Sequence, residues 1–410
     1  MEAIVDRCCG LDVHQKSVVA CLITGAADSK PRTEVRRYGT TTRELEAMRE
    51  WLVAGGCTQV AMESTGVYWK PVYAVLEGHF ELVVGNAHRI KNVPGRKTDV
   101  KDSEWIGDLQ RHGLIAKSFV PPAPIRELRD LTRYRRKLSE AGATERNRLL
   151  KLLETANIKL SGVASDVFGV SGRHMLQALI AGEASPAEMA QLARGRLRRK
   201  LSELELALEG CVKDHHRFLL AMQLHRIEAI EADLNALDAR LGEVLTPYDT
   251  HMALLMQIPG VDWVIAATII AEIGVDMSLF ISAAHLVSWA GICPGNHESA
   301  GKRLSGKTRK GNVHLKTALV TAAIGAAKKR GSYLKNKYHR LSARRGKMRA
   351  AVAVAHKILI AIYRMLSTAT DYKDLGPTYL DTLHQHRTAA NLVRRLRDMG
   401  YEVTLQAQAA

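Results

Sequence analysis

Four carboxylates in the first quarter of the chain are spaced so that folding can bring them to one point. Asp12 follows a short apolar stretch containing Gly10, Glu63 ends the apolar run TQVAME, and Asp99 and Asp102 lie one helical turn apart. Acids at strand ends of a mixed sheet, joined by an i, i+3 pair on a helix, can share one face. Two Mg2+ ions held there by oxygen ligands would activate a nucleophile and stabilise the leaving oxygen of a phosphodiester. Taken singly, each acid also reads as a cap or a surface charge. Asp99, beside Thr98, falls in a first helical turn where any acid is favoured. Only the ordered set D…E…DxxD carries the chemical reading.

The elements that must position these acids alternate between strand and helix. CCGLDV and SVVACLI read as paired strands, TEVRRYGT as a third, and TTRELEAMREWLVAGG as an amphipathic helix closed by glycines. TQVAME reads as a buried strand, GVYWKPVYAVLEG as a helix broken near Pro71, and FELVVGN as another strand. RKTDVKDSEWIGDLQRHG reads as a helix with Thr98 as N-cap and Gly113 as its stop. This order predicts an α/β layer with a mixed sheet, the layout of ribonuclease-H-like nucleases.

Beyond VPPAP, a rigid linker at Val120–Pro124, the pattern turns helical. Ile125–Ala156 is long and Arg-rich, and a Gly/Ser-rich break follows. Leu220, Ile227, Leu234 and Leu241 then repeat by seven, with Ile230, Leu237 and Val244 offset by three, the register of a coiled coil or long helical hairpin. Pro247 opens a third region. There MQIPGVDWVIAATIIAEIG has the form of a helix-hairpin-helix, whose backbone N–H groups can meet a phosphate. Asp262 replaces the usual second glycine and would repel phosphate, so a purely structural hairpin is the competing reading. The expected domains are 1–118, a nuclease-like unit; 119–250, helical with a coiled coil; 251–350, compact and helical; and 351–410, a helical tail.

Charge narrows the function classes. The chain carries a formal net charge of +17, and Ser299–Thr370 holds 18 Lys and Arg with no Asp or Glu. Outside that window 41 basic residues stand against 42 acidic ones. A solvated face normally interleaves acids; a segment without them points to phosphate neutralisation. Lys302, Arg303, Lys307, Arg309 and Lys310 open this segment, and Arg133, Arg135, Arg136, Arg146 and Arg148 add a second group on the first long helix. Six cysteines show no CxxC spacing, so neither a zinc site nor a disulfide framework is suggested and a reducing cytoplasm is expected. No run of consecutive apolar residues reaches the length of a membrane span, and no membrane partner is expected.

GLDVHQKSVVACL, AMESTGVYW, NAHRIKNVPGRKTDVKDSEWI, IPGVDWVIAATIIAEIG and WAGICPGNHESAGKRLSGKTRKGNVHLKTAL together resemble the DEDD transposases of bacterial insertion sequences. The family is insertion-sequence family one-hundred-ten, and the PGNHESAGKR wording resembles its eleven-eleven subgroup. The likeness runs from Cys8 to about Asp108 and again from about Leu254 to Lys329. It implies a resolvase-like (RuvC-like) ribonuclease-H domain joined to a serine-bearing transposase domain. By motif, Asp12, Glu63, Asp99 and Asp102 would bind metal, and Ser299 would attack DNA and hold it covalently. The resemblance further implies a structured non-coding guide RNA that pairs with donor and target DNA, and a protein dimer assembling to a tetramer.

A serine hydroxyl is a poor nucleophile at its free pKa and needs a base, a metal or stabilisation of the phosphorane. Lys302 and Arg303, close behind Ser299, can contact non-bridging oxygens, Ser305 is the fallback nucleophile, and His297 can relay a proton. From residue types alone, Ser299 reads as a turn residue beside Gly295, Asn296 and Gly301; the resemblance reverses that order. Two other readings stay open: a metal-dependent junction resolvase with water as nucleophile, and a non-catalytic nucleic-acid-binding protein.

Overall fold

The computed structural model describes residues 3–26, 28–64, 66–91, 93, 102–295, 297–383 and 385–406. They fall in two units, Met1–Val120 and Pro121–Ala410.

The first unit is built on five strands: β1 (Arg7–Val13), β2 (Ser17–Thr24), β3 (Arg32–Gly39), β4 (Gln59–Glu63) and β5 (Glu81–Gly85), in sheet order β3-β2-β1-β4-β5. β1, β2 and β3 are antiparallel neighbours, whereas β1, β4 and β5 run parallel. Helices α1 (Thr42–Ala54), α2 (Trp69–Leu76), α3 (Ala87–Lys91) and α4 (Asp102–Arg111) complete it. Alternation along β1 sorts its side chains between two cores. Cys9, Leu11 and Val13 pack with Leu45, Met48 and Leu52 of α1 and with Val72 and Leu76 of α2. The opposite face carries Ala61 and Val83 against Trp105, Ile106 and Leu109 of α4. β3 is an edge strand whose Arg32, Glu34, Arg36 and Arg37 side chains oppose pairing with another chain.

Pro71 does not break its helix. It occupies the first turn of α2, where its missing N–H would have had no helical partner.

The second unit opens with α5 (Ala123–Thr155), which starts directly at the prolines, with Pro122 as its N-cap. After α6 (Leu160–Val163), α7 (Val170–Ala181), α8 (Pro186–Gln191) and α9 (Leu201–Leu208) comes α10 (Asp214–Leu245). Contacts of α5 with α10 climb one helix while descending the other: Arg135 meets Asp238, Arg146 meets Glu231, and Arg148's partner Glu145 lies near Arg226. The two form an antiparallel hairpin about 50 Å long at 1.5 Å per residue. Leu220, Ile227, Ile230 and Leu241 of the heptad seam are buried within the chain, as is Leu224 outside it. α6 to α9 cap the hairpin's end around Leu149, Leu153, Leu160, Met175, Leu176 and Leu204.

The remaining elements are α11 (Asp249–Met256), α12 (Trp263–Ile273), α13 (Ala283–Trp289), β6 (His297–Ser299), β7 (Lys302–Ser305), α14 (Val313–Ala326), α15 (Tyr333–Arg345), α16 (Lys347–Thr368), α17 (Tyr379–Thr382) and α18 (Gln385–Asp398). α16 runs straight through residue 350, where a domain boundary was expected. By length and composition it is long and apolar enough to cross a membrane. Its apolar stretch is not continuous in sequence, because His356 and Lys357 interrupt it. In the fold its Ala350, Val354, Ile358, Leu359 and Ile362 are buried against neighbouring helices.

Candidate active-site residues and basic surface

Asp12 and Glu63 are placed by strand register. Gly10 is aligned with Ala61 and Leu11 with Met62 in the parallel pair, so the next aligned pair, continuing the register, is Asp12 with Glu63. Both fall on the face that carries α4. Gly10 shows why that helix comes so close: a Cβ there would sit 2.2 Å from Gly107 N and 2.2 Å from Ser103 O. Backbone meets backbone, and no larger residue fits without moving α4. The Cys8 thiol adds a 3.5 Å contact to the Gly107 carbonyl.

The direction of α4 follows from its other contacts. Gln110 donates to Gln59 Oε1 at 2.7 Å, and Ile4 N–H donates to the Arg111 carbonyl at 2.9 Å. The helix therefore ends over the start of β1 and begins over its far end. Asp102, one residue before Ser103, stands at the end of the sheet where β1 and β4 finish. The structure thus brings Asp12, Glu63 and Asp102 to the same end of one sheet face. Asp99 and Thr98 lie outside the described residues. Among the described residues, no three Asp, Glu, His or Cys side chains close into a group that would hold a metal ion. The donor set consists of carboxylate oxygens only, which suits a hard divalent cation such as Mg2+. Ser103, only 1% exposed, has its Oγ unpartnered among the described residues.

His14 was not among the expected site residues. Its Nε2 lies 3.0 Å from Asp12 Oδ2 on the exposed side of the strand end. The signal was its i+2 spacing from Asp12, which puts the two on one side of an extended chain. The thiols of this unit stay protonated near neutrality, because burial pushes Cys21 up to about 11 and Cys8 and Cys57 to about 12.

In the second unit Ser299 ends β6 and pairs with Lys302 across a two-residue turn. Ala300 and Gly301 both have positive φ, 48° and 73°, the requirement of a tight type I′ hairpin. Ala300 pays about 1 kcal/mol for a conformation that suits glycine better. Ser299 is exposed near this tip, as a strand end rather than as a turn residue. Ser305 differs: its Oγ accepts the Lys307 N–H at 3.2 Å and is half-buried. The side chains of His297 and Arg303 lie outside the described residues. Lys302, Lys307, Arg309 and Lys310 are exposed.

The loop after the hairpin is tied to a buried ionic node. Glu272, fully buried on α12, accepts from Arg133 Nε at 2.7 Å and Nη2 at 2.8 Å, and from Asn312 Nδ2 at 2.5 Å. Arg129 donates to the Ala271 and Glu272 carbonyls at 3.1 and 2.7 Å. Asn312 also caps α14 by accepting the Leu315 N–H at 3.0 Å. Burial works to raise the Glu272 pKa, but Arg133, Arg129 and Asn312 outweigh it and hold the carboxyl below its ordinary value.

This node changes what the arginines of α5 do. Arg133 is taken up by Glu272, Arg135 by Asp238 and Arg136 by Glu140, all in side-chain ion pairs. Arg146 and Arg148 pair with Glu231 and Glu145. Of these cations, expected to meet nucleic acid, Arg133, Arg135 and Arg146 tie α5 to neighbouring helices, whereas Arg136 and Arg148 pair with acids of α5 itself.

The Gly260 turn is also structural. A Cβ at Gly260 would lie 2.1 Å from the Ala322 carbonyl oxygen and 2.6 Å from Ala326 N, so the turn is packed on the α14 backbone. Asp262 fills the N-terminus of α12, accepting the Ile265 N–H at 2.8 Å. A carboxylate thus already occupies the place where the hairpin motif would hold phosphate.

Residues 9–158 match the family model of the IS110 DEDD transposase, described as a transposase, and residues 252–339 match the transposase IS116/IS110/IS902 family. No curated protein matches the chain. The first match takes in the strand-end acids and α4, the second the Gly260 turn, Ser299 and its hairpin. Two matches from one family, covering more than half of the residues between them, make this chain a transposase of the IS110 family.

Proposed function

We propose that the protein moves an insertion sequence by serine chemistry on DNA, guided by a structured non-coding RNA encoded by its element. The observation that carries this reading is the gathering of Asp12, Glu63 and Asp102 at one end of one sheet face. The strand order, with α4 laid antiparallel on β1, supports a ribonuclease-H-like (RuvC-like) nuclease unit. With Asp99, these acids would hold Mg2+, which when bound withdraws charge from the scissile phosphate.

Ser299 is the nucleophile in this reading. Its exposure near the hairpin tip favours it over Ser305, whose oxygen already accepts a backbone N–H. As the Oγ–P bond forms, the bond from phosphorus to one deoxyribose oxygen breaks. The serine gives up its hydroxyl proton, and the departing deoxyribose oxygen takes one up. A second hydroxyl reverses the exchange, so strands rejoin without ATP. Lys302 and Arg303 follow in sequence as contacts for the non-bridging oxygens.

The acid-free basic segment supports phosphate-backbone contacts to donor DNA, target DNA and guide RNA, with sequence choice left to base pairing. A dimer assembling to a tetramer completes the proposal. The test is strand exchange between labelled donor and target duplexes by purified protein. Exchange is expected only when both Mg2+ and the RNA transcribed from the element's flank are present. Equal exchange without the RNA would exclude guidance, and equal exchange in excess EDTA would exclude a metal at the acids.

A further inference from the structure

An open groove of about 1180 Å³ lies in the second unit between the loop after β7 and the α15–α16 pair. Lys307 contributes from the loop, Lys337 and Arg345 from α15, and Arg349 and Lys357 from α16. None of the lining residues is an acid. Among the described residues, none of these five cations has a carboxylate within ion-pair distance, unlike the arginines of α5. The floor between them is apolar, formed by Leu341, Met348 and Val352.

The cations have an order. Lys337 and Arg345 are eight residues apart on one helix, as are Arg349 and Lys357 on the next, about 12 Å in each case. α15 and α16 join at Gly346, so Arg345 and Arg349 flank one end of the groove. About 12 Å corresponds to roughly three or four phosphates of a stacked strand. Burial, together with the charges of Lys357 and Lys337, holds the His356 imidazole on the groove wall below its ordinary pKa. A duplex offers such a groove only sugar-phosphate ridges and leaves the apolar floor unused. A strand with unpaired bases can set phosphates on the cations and bases or sugars on the floor.

We propose that this groove binds an unpaired nucleic-acid strand, with phosphates held by Lys307, Lys337, Arg345, Arg349 and Lys357. The assignment rests on the DNA-handling reading above, because it supplies that reaction with a place to hold a separated strand. It extends the basic segment from a diffuse polyanion surface to one defined channel.

The test measures fluorescence anisotropy of the full chain with a labelled oligothymidine and, separately, with a hairpin duplex of equal phosphate count, across a salt series. The oligothymidine is expected to bind more tightly than the duplex. Arg345→Gln/Arg349→Gln, at two exposed positions, is expected to weaken oligothymidine binding about tenfold and to flatten the salt slope by about 1.4. An unchanged affinity and slope would overturn the assignment. So would an equal loss from Arg198→Gln/Arg199→Gln on the exposed turn before α9, since total charge would then be the cause. Tighter duplex binding that falls in the same double variant would overturn the unpaired-strand assignment in favour of a duplex site. The assay contains no guide RNA, metal or strand cleavage, so failure of the serine or RNA-guidance reading leaves its outcome unaffected.

Discussion

Asp12→Asn is expected to lower strand cleavage by roughly 10²–10³-fold or more while leaving the fold intact. The substitution keeps the side chain's shape and removes its charge. Asp12 is partly exposed at a strand end, and its neighbour His14 is exposed, so stability should change by no more than about 0.5 kcal/mol. Glu63→Gln and Asp102→Asn should produce losses of the same order, because in the proposed mechanism the three act as one set. They should also be strongly non-additive: a double variant should be little worse than a single one. Single-turnover cleavage of a labelled duplex, run beside thermal melting, separates loss of chemistry from loss of fold. Cleavage within tenfold of wild type in Asp12→Asn would remove the acids from the mechanism.

Glu272→Gln is expected to have the largest effect on stability, about 3–5 kcal/mol lost from the second unit. The neutral amide fills the same space but leaves Arg133 and Arg129 half-buried around a site with no negative charge. The amide offers one acceptor oxygen where the carboxylate offered two, so its NH2 faces either Arg133 Nε or both Arg133 Nη2 and Asn312 Nδ2, donor against donor. The pH dependence carries a sign. The folded-state pKa of Glu272 lies below the unfolded value, so its contribution is fully present above about pH 4.5. It disappears as pH falls through the folded value. Urea denaturation should therefore show wild type and Glu272→Gln well separated near neutrality and converging in acid. A constant gap across that range would mean that the carboxylate's charge is not what holds the node.

The two units differ in how far residue order alone reveals them. β1, β2, β4 and β5 are apolar runs bounded by turn residues, so strand type and the mixed sheet are legible directly. Asp12 and Glu63 are legible as strand-end acids because register puts them side by side. The role of Gly10 is not, since its reason is the α4 backbone almost a hundred residues away. The heptad seam of α10 is equally plain in sequence, but its partner is not: α5 shows an Arg-rich surface rather than a matching heptad. Its arginines look free because Glu272 and Asp238 lie about a hundred residues or more downstream. Only Arg136 with Glu140, at i and i+4, and Arg148 with Glu145, at i and i−3, announce their pairing locally. Residues 157–213 fold into helices too short to show periodicity, so their contribution to the hairpin's cap emerges only from packing.

A covalent protein–DNA adduct is the most direct measure of the account. Purified protein, Mg2+, guide RNA and end-labelled donor and target duplexes would be quenched and run on a denaturing gel, with Ser299→Ala and Ser305→Ala alongside. The account predicts a slow-migrating labelled band in wild type and Ser305→Ala, absent in Ser299→Ala, with the nucleotide mapped to Ser299 by peptide mass. Cleavage that persists in Ser299→Ala with no adduct in any lane would contradict it and leave a metal-dependent resolvase that uses water.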